Sequence, residues 1–209
     1  MQRVTILAFI SVLWISVSPL HSQVIKATTE DGRQVLLKND GTWKFARDTT
    51  EVADTSDSVF TKSAFATDVL KLKDGHFELW YDPSKWILQK TQDPDKTQME
   101  EKNGDVYAII IAERFEMTFD NLKQMALNNA LKAAPDAQII YQQYRKVNGR
   151  RLLCMKITGT INSIKFVYYS YYYAGPAGIL QLITFTSANL LPQYESDMTD
   201  FLNGIVVHE

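Results

Sequence analysis

The chain has 209 residues, with 22 Lys+Arg against 24 Asp+Glu and a formal net charge of −2. So even a balance offers no electrostatic grip on nucleic acid or an anionic membrane surface, and no nucleic-acid partner is expected. One cysteine excludes an intramolecular disulfide, so stability must come from a hydrophobic core, for which the length suffices.

The first 22 residues, MQRVTILAFISVLWISVSPLHS, read as a signal peptide. Arg3 gives the positive start, Val4 to Val17 the apolar run, Pro19 its end, and Ser22 a small residue before Gln23. The run falls short of the roughly 20 apolar residues of a membrane span. Cleavage and export to the periplasm or outside are expected, with no transmembrane anchor afterwards. No Cys follows the run to take a lipid.

Residues 23–47 read as a small β-meander with strands near Val24–Thr28, Gln34–Lys38 and Thr42–Ala46. Asp31-Gly32 and Asp40-Gly41 supply the turns between them. Asp31 to Phe45 resembles a short DGTW-type motif near the start of exported bacterial proteins. Val35, Leu37, Trp43 and Phe45 are its expected core, with Trp43 and Phe45 on one face. Residues 48–62 are polar and acidic and read as a flexible linker, which makes the meander a mobile module.

The main domain is expected over 63–209. Ala66–Leu72 and His76–Tyr81 form a hairpin across Lys73-Asp74-Gly75. Asp82 then caps one helical turn with Pro83 at its first position. Thr91–Gly104 lacks periodicity and reads as an exposed loop, and Val106–Glu113 as a strand apolar on both faces. Thr118 caps a helix over Phe119–Ala133, whose buried stripe is Phe119, Leu122, Met125, Ala126, Ala130 and Ala133. Pro135 stops it.

Gln138–Lys146 is the next strand, and Asn148-Gly149 the strongest hairpin turn. A meander follows over Leu152–Thr158, Ile164–Tyr173 and Ile179–Thr186. Its last strand is apolar on both faces, so layers should cover both. Pro192 opens a second helix with Tyr194, Met198, Phe201 and Leu202 on one side. Gly204 closes it, and Ile205–Val207 is a terminal segment.

From FELWYDPSKW (Phe77 to Trp86) onward, the order of elements resembles the PsbP-like superfamily, which includes Ran-binding Mog-type proteins and small exported bacterial proteins. The likeness spans about 63–207, and its local motif is Tyr81-Asp82-Pro83-Ser84-Lys85-Trp86. It implies an α+β fold: an α/β/α sandwich with a central antiparallel sheet and helices on both faces. The family shares no catalytic set, so no functional residue carries over, and its known plant and yeast members bind other proteins.

The residues themselves carry little chemistry. His21 leaves with the signal, His76 sits at a turn and His208 is penultimate; none has metal-ligand or triad spacing. Asp93-Pro94-Asp95 opens like a calcium loop but lacks Gly at its sixth and Glu at its twelfth position. No Gly-rich turn could cradle a phosphate. No catalytic, metal or cofactor site is therefore expected. Cys154 reads as a small buried apolar residue with no basic or His neighbour on its face.

Two features bear on binding. Tyr168 and Tyr172 fall on one face of their strand and Tyr169, Tyr171 and Tyr173 on the other, as sheet core or as an aromatic wall for glycan or peptide. Arg145, Lys146, Arg150 and Arg151 bracket the Asn148-Gly149 turn, either as a solvated, guarded turn or as a contact for an anionic partner. The expected function is a non-enzymatic interaction protein of the bacterial cell envelope, with another envelope protein as partner. The alternative is small-ligand or glycan binding between sheet and helix, lined by Tyr169, Tyr171 and Tyr173. An enzyme is the third class, and His76→Ala would expose it.

Overall fold

The structure, a computed structural model, describes residues 25–28, 34–37, 43–45, 53–72, 75–90 and 96–208. The chain divides into two compact units, 1–49 and 50–209. In the first, β1 (Ile25–Thr28), β2 (Gln34–Leu37) and β3 (Trp43–Phe45) form an antiparallel meander. Leu37, expected in its core, is exposed. The Asp-Gly turns and the side chains of Val35, Trp43 and Phe45 lie outside the described residues.

The second unit opens with β4 (Ala53–Phe60), β5 (Asp68–Lys71), β6 (Phe77–Tyr81), β7 (Trp86–Gln89), β8 (Thr97–Glu101) and β9 (Tyr107–Glu113). Helix α1 (Phe119–Ala133), β10 (Gln138–Val147), β11 (Arg150–Ile161), β12 (Ile164–Gly175), β13 (Gly178–Ser187), α2 (Leu191–Leu202) and β14 (Ile205–Val207) follow. An eight-stranded sheet runs β4-β10-β11-β12-β13-β9-β8-β7, and a three-stranded sheet runs β14-β6-β5. Every pair is antiparallel except β4 with β10, so the large sheet is mixed and the fold is α+β.

Two stretches differ from the sequence-based expectation. The linker over 48–62 holds β4, whose Val59 and Phe60 pair with Lys146 and Val147. Polar composition hid it, because an edge strand draws its hydrogen bonds from the neighbouring backbone and not from its side chains. Thr97–Glu101, inside the stretch read as a loop, is β8. Met99 alone supplies its apolar anchor, and Glu101 is buried because Asn103 N–H and Nδ2 hydrogen-bond its carboxylate. Residues 91–95, with the calcium-like Asp93-Pro94-Asp95, lie outside the described residues.

Elsewhere the local chemistry acts as expected. Thr118 Oγ1 accepts from Asn121 N–H at 3.2 Å and caps α1, which buries Leu122 and Ala126; Ala133 of the expected stripe is exposed. Asp82 Oδ1 accepts from Ser84 N–H at 2.8 Å and holds the turn into β7. Asn148 and Gly149 take φ values of 46° and 86°, the left-handed pair a two-residue hairpin turn requires. A Cβ on Gly204 would stand 1.8 Å from the Trp80 carbonyl, so only glycine lets the end of α2 meet β6.

Alternation along β11 separates two cores. Leu153, Met155 and Ile157 pack with Leu122 and Ala126 of α1. Leu152 and Cys154 pack with Tyr194, Met198, Phe201 and Leu202 of α2, joined by Phe77 and Leu79 of the small sheet. The helices therefore sit against opposite sides of β11 and β12. The α2 side is filled out to Met99 of β8, whereas α1 packs on β10, β11 and β12.

Candidate interaction surface

The structure places the expected contact residues in two groups. Tyr169, Tyr171 and Tyr173 are 2%, 0% and 3% exposed and pack beneath α2. An aromatic wall for a ligand needs accessible ring faces, and these rings are core. That overturns the ligand wall and leaves the alternative reading of the same strand. Burial pushes the Tyr169 and Tyr171 phenols up from their ordinary value.

Register divides the four cations. Arg145 stands opposite Leu152 and Val147 opposite Arg150, on the α2 side. Lys146 stands opposite Arg151, on the α1 side. Arg145 is half-buried, and its guanidinium donates to Tyr169 and Tyr171 hydroxyls at 2.8 Å each and to Tyr141 at 3.3 Å. The Phe60 ring lies 4.6 Å from it. Arg151 lies 3.7 Å from the Tyr144 ring centroid. Of the four, Arg145 is half-buried among aromatic rings, Arg150 is half-buried with a partner of its own, Arg151 is exposed with its guanidinium over the Tyr144 ring, and Lys146 is exposed.

Arg145 and Lys156 also share a face with Cys154, contrary to expectation. Burial nevertheless outweighs their pull and pushes the thiol up to about 11, so it stays protonated and inert. His76 and His208 meet where β6 and β14 pair, with His76 Nδ1 3.1 Å from the His208 carbonyl and His208 Nε2 3.4 Å from Glu78. Among the described residues no group of His, Cys, Asp and Glu could hold a metal. A cleft lined by Phe65, Asp82, Lys85, Trp86 and Asp197 measures about 20 Å³, far below the hundreds of Å³ of a small-molecule pocket.

What the sequence reading missed is the other half of the α1-side face. From Tyr168, which packs at the margin of the α1-side core, a row runs outward: Tyr168, Phe185 and Tyr107 stand opposite one another across β12, β13 and β9. Tyr107 and Phe185 stack at 5.5 Å, and Tyr168 and Phe185 lie 5.7 Å apart. Ile183 and Ile109 form the next row. Tyr107 is 40% exposed, and Tyr168, Phe185, Ile183 and Ile109 are all partly exposed although they sit on inner strands. The signal in the sequence was the two-faced apolarity of Val106–Glu113 and Ile179–Thr186. It counts apolar faces without showing whether a layer of this chain covers each one.

Against known proteins, the domain is first of all one with a PsbP-like fold. The chain is similar to the solution structure of the cyanobacterial PsbP (CyanoP) of Synechocystis, with TM-score 0.53 and 10% identity over 70% of this chain and 95% of that one. It is also similar to the Saccharomyces cerevisiae Ran-binding protein Mog1p, with TM-score 0.48 and 6% identity over 67% and 94%. LpqN, involved in cell envelope biogenesis of Mycobacterium tuberculosis, gives TM-score 0.43 and 12% identity over 68% and 90%. No protein-family model and no curated protein matches the sequence. The PsbP-like fold implied by Tyr81–Trp86 and the order of elements is thus found. Identities this low speak for the fold alone.

Proposed function

We propose that this chain is an exported, non-enzymatic binding or assembly protein of the bacterial cell envelope, built as an α/β/α sandwich that follows a small β-meander in the sequence. The observation that carries this reading is the uncovered apolar half of the α1-side face. Side chains of inner strands are normally sealed by a second layer, and a contiguous apolar patch left open marks a protein contact. The leader-like residues 1–22 support export, and no helix among the described residues is long and apolar enough to cross a membrane.

A protein partner suits this surface better than a glycan. Tyr107 and Phe185 lie only 25° from parallel and stack on one another, so much of their ring area faces inward along the row. A sugar would need those faces turned outward. Lys146, exposed beside Arg151, is where an anionic contact of the partner is placed.

The test is affinity capture from envelope extract with the full chain as bait. Tyr107→Asp should release the captured partner, whereas Ile140→Asp, at an exposed apolar residue of β10, should retain it. A partner held equally by both variants, or a substrate turned over by the purified chain, would contradict the reading.

A further inference from the structure

Among the described residues the large sheet ends at β7, with no further strand beside it. Lys102 N–H donates to the Lys85 carbonyl at 2.8 Å, and the two residues fall in the register that pairs Trp86 with Glu101. In an antiparallel ladder hydrogen-bonded pairs alternate, so Ile87 and Gln89 turn their backbone groups toward β8, and Trp86 and Leu88 turn theirs outward. Trp86 N–H is taken by the Asp82 carbonyl at 3.0 Å. The outward groups left are the Trp86 carbonyl and both groups of Leu88, and no described residue bonds to them.

Natural edges are commonly guarded by lysine, proline or a bulge. Trp86-Ile87-Leu88-Gln89 holds none of these; of the lysines that flank it, Lys85 is paired with Asp197 and Lys90 is exposed at its end, and Ile87 and Leu88 are 43% and 50% exposed on opposite faces. We propose that β7 is a self-pairing edge through which two copies of this chain associate, antiparallel, with Leu88 opposite Leu88 of the second copy.

The register follows from the residues. Centring the pair on Trp86 fails because its N–H is already bonded. Centring it on Lys90 sets two ammonium groups against each other. Centring it on Leu88 lets each Leu88 exchange both backbone bonds with its copy, while each Lys90 N–H meets a Trp86 carbonyl. Ile87 then lies beside Gln89, and no like charges face. On the α2 side, the row Ala108, Met99, Leu88 runs on into Leu88 and Met99 of the second copy, which covers the exposed leucine. Four residues make a short edge, so the association is weak and depends on concentration.

This proposal is independent of the aromatic face, since the two surfaces are altered by different substitutions. Sedimentation equilibrium of the full chain, up to about 1 mM, tests it. Wild type should shift from monomer to dimer, and amide exchange at Leu88 should slow about tenfold over the same range. Leu88→Lys should stay monomeric with an unchanged near-UV spectrum, because the side chain is half-exposed, and Ile140→Lys should dimerise as wild type does. A wild type that is monomeric throughout, or a dimer that survives Leu88→Lys, would overturn the proposal. So would a monomeric chain whose Leu88 is protected by a different protein.

Discussion

The Tyr194 hydroxyl donates to Asp105 Oδ2 at 2.7 Å, tying the first turn of α2 to the loop between β8 and β9. That bond to a carboxylate pushes the phenol up to about 12. Burial does the same to Tyr172, also to about 12. A phenol whose folded pKa lies above its unfolded value near 10 contributes stability that is fully present below pH 10 and is lost as pH rises toward 12. Urea unfolding should therefore show stability falling as pH rises above about 9, first through the buried Cys154 thiol, whose folded value is about 11, and then through the phenols, with Tyr172 alone contributing about 2–3 kcal/mol. Stability unchanged between pH 9 and 11.5 would contradict this.

Asn148 does two things at once. It holds φ at 46°, and its Nδ2 donates to the carbonyls of Asn203 and Ile205 at 2.8 and 2.7 Å, while Lys62 N–H donates to its Oδ1 at 3.1 Å. Asn148→Ala should cost about 2–4 kcal/mol, from both the left-handed backbone and the lost bonds. Asn148→Gly keeps the backbone and should cost about 1–2 kcal/mol. Equal losses for the two would show that the backbone conformation is irrelevant.

Arg145 is a half-buried cation whose hydrogen-bond partners are phenols rather than carboxylates. Removing it strands no counter-charge. Arg145→Met should cost about 1–2 kcal/mol by urea denaturation, below the 3–5 kcal/mol of breaking a buried ion pair. Lys146→Ala, at the exposed neighbour, should change stability by less than about 0.5 kcal/mol.

Elements built from strong local signals were legible in the sequence. Thr118 with Phe119–Ala133, Asn148-Gly149, and the buried Tyr194, Met198, Phe201 and Leu202 all follow from caps, turns and helical spacing. Features set by long-range pairing were not. β4 and β8 owe their existence to β10 and to β7 and β9, and their own residues are mostly polar. The tyrosine strand shows the same limit: alternation separated Tyr168 from Tyr169 and Tyr171, yet only the reach of α1 decides which face stays open. The proposed contact surface was hidden in residues that read as core.

Cys154 is fully buried, with its thiol pushed up to about 11. An alkylating reagent at pH 8 should leave it unmodified in the native chain and label it fully in urea, read by mass spectrometry. Rapid native labelling would place it in a reactive environment instead.

The open half of the α1-side face is the proposed partner site. Hydroxyl-radical footprinting of the full chain, alone and in envelope extract, tests it most directly. Tyr107 and Tyr168 should label in the isolated chain and lose most of that labelling in extract, while Ile140 and Ile164, exposed elsewhere, label equally in both. Unchanged labelling of Tyr107 and Tyr168, with protection confined to other residues, would contradict it.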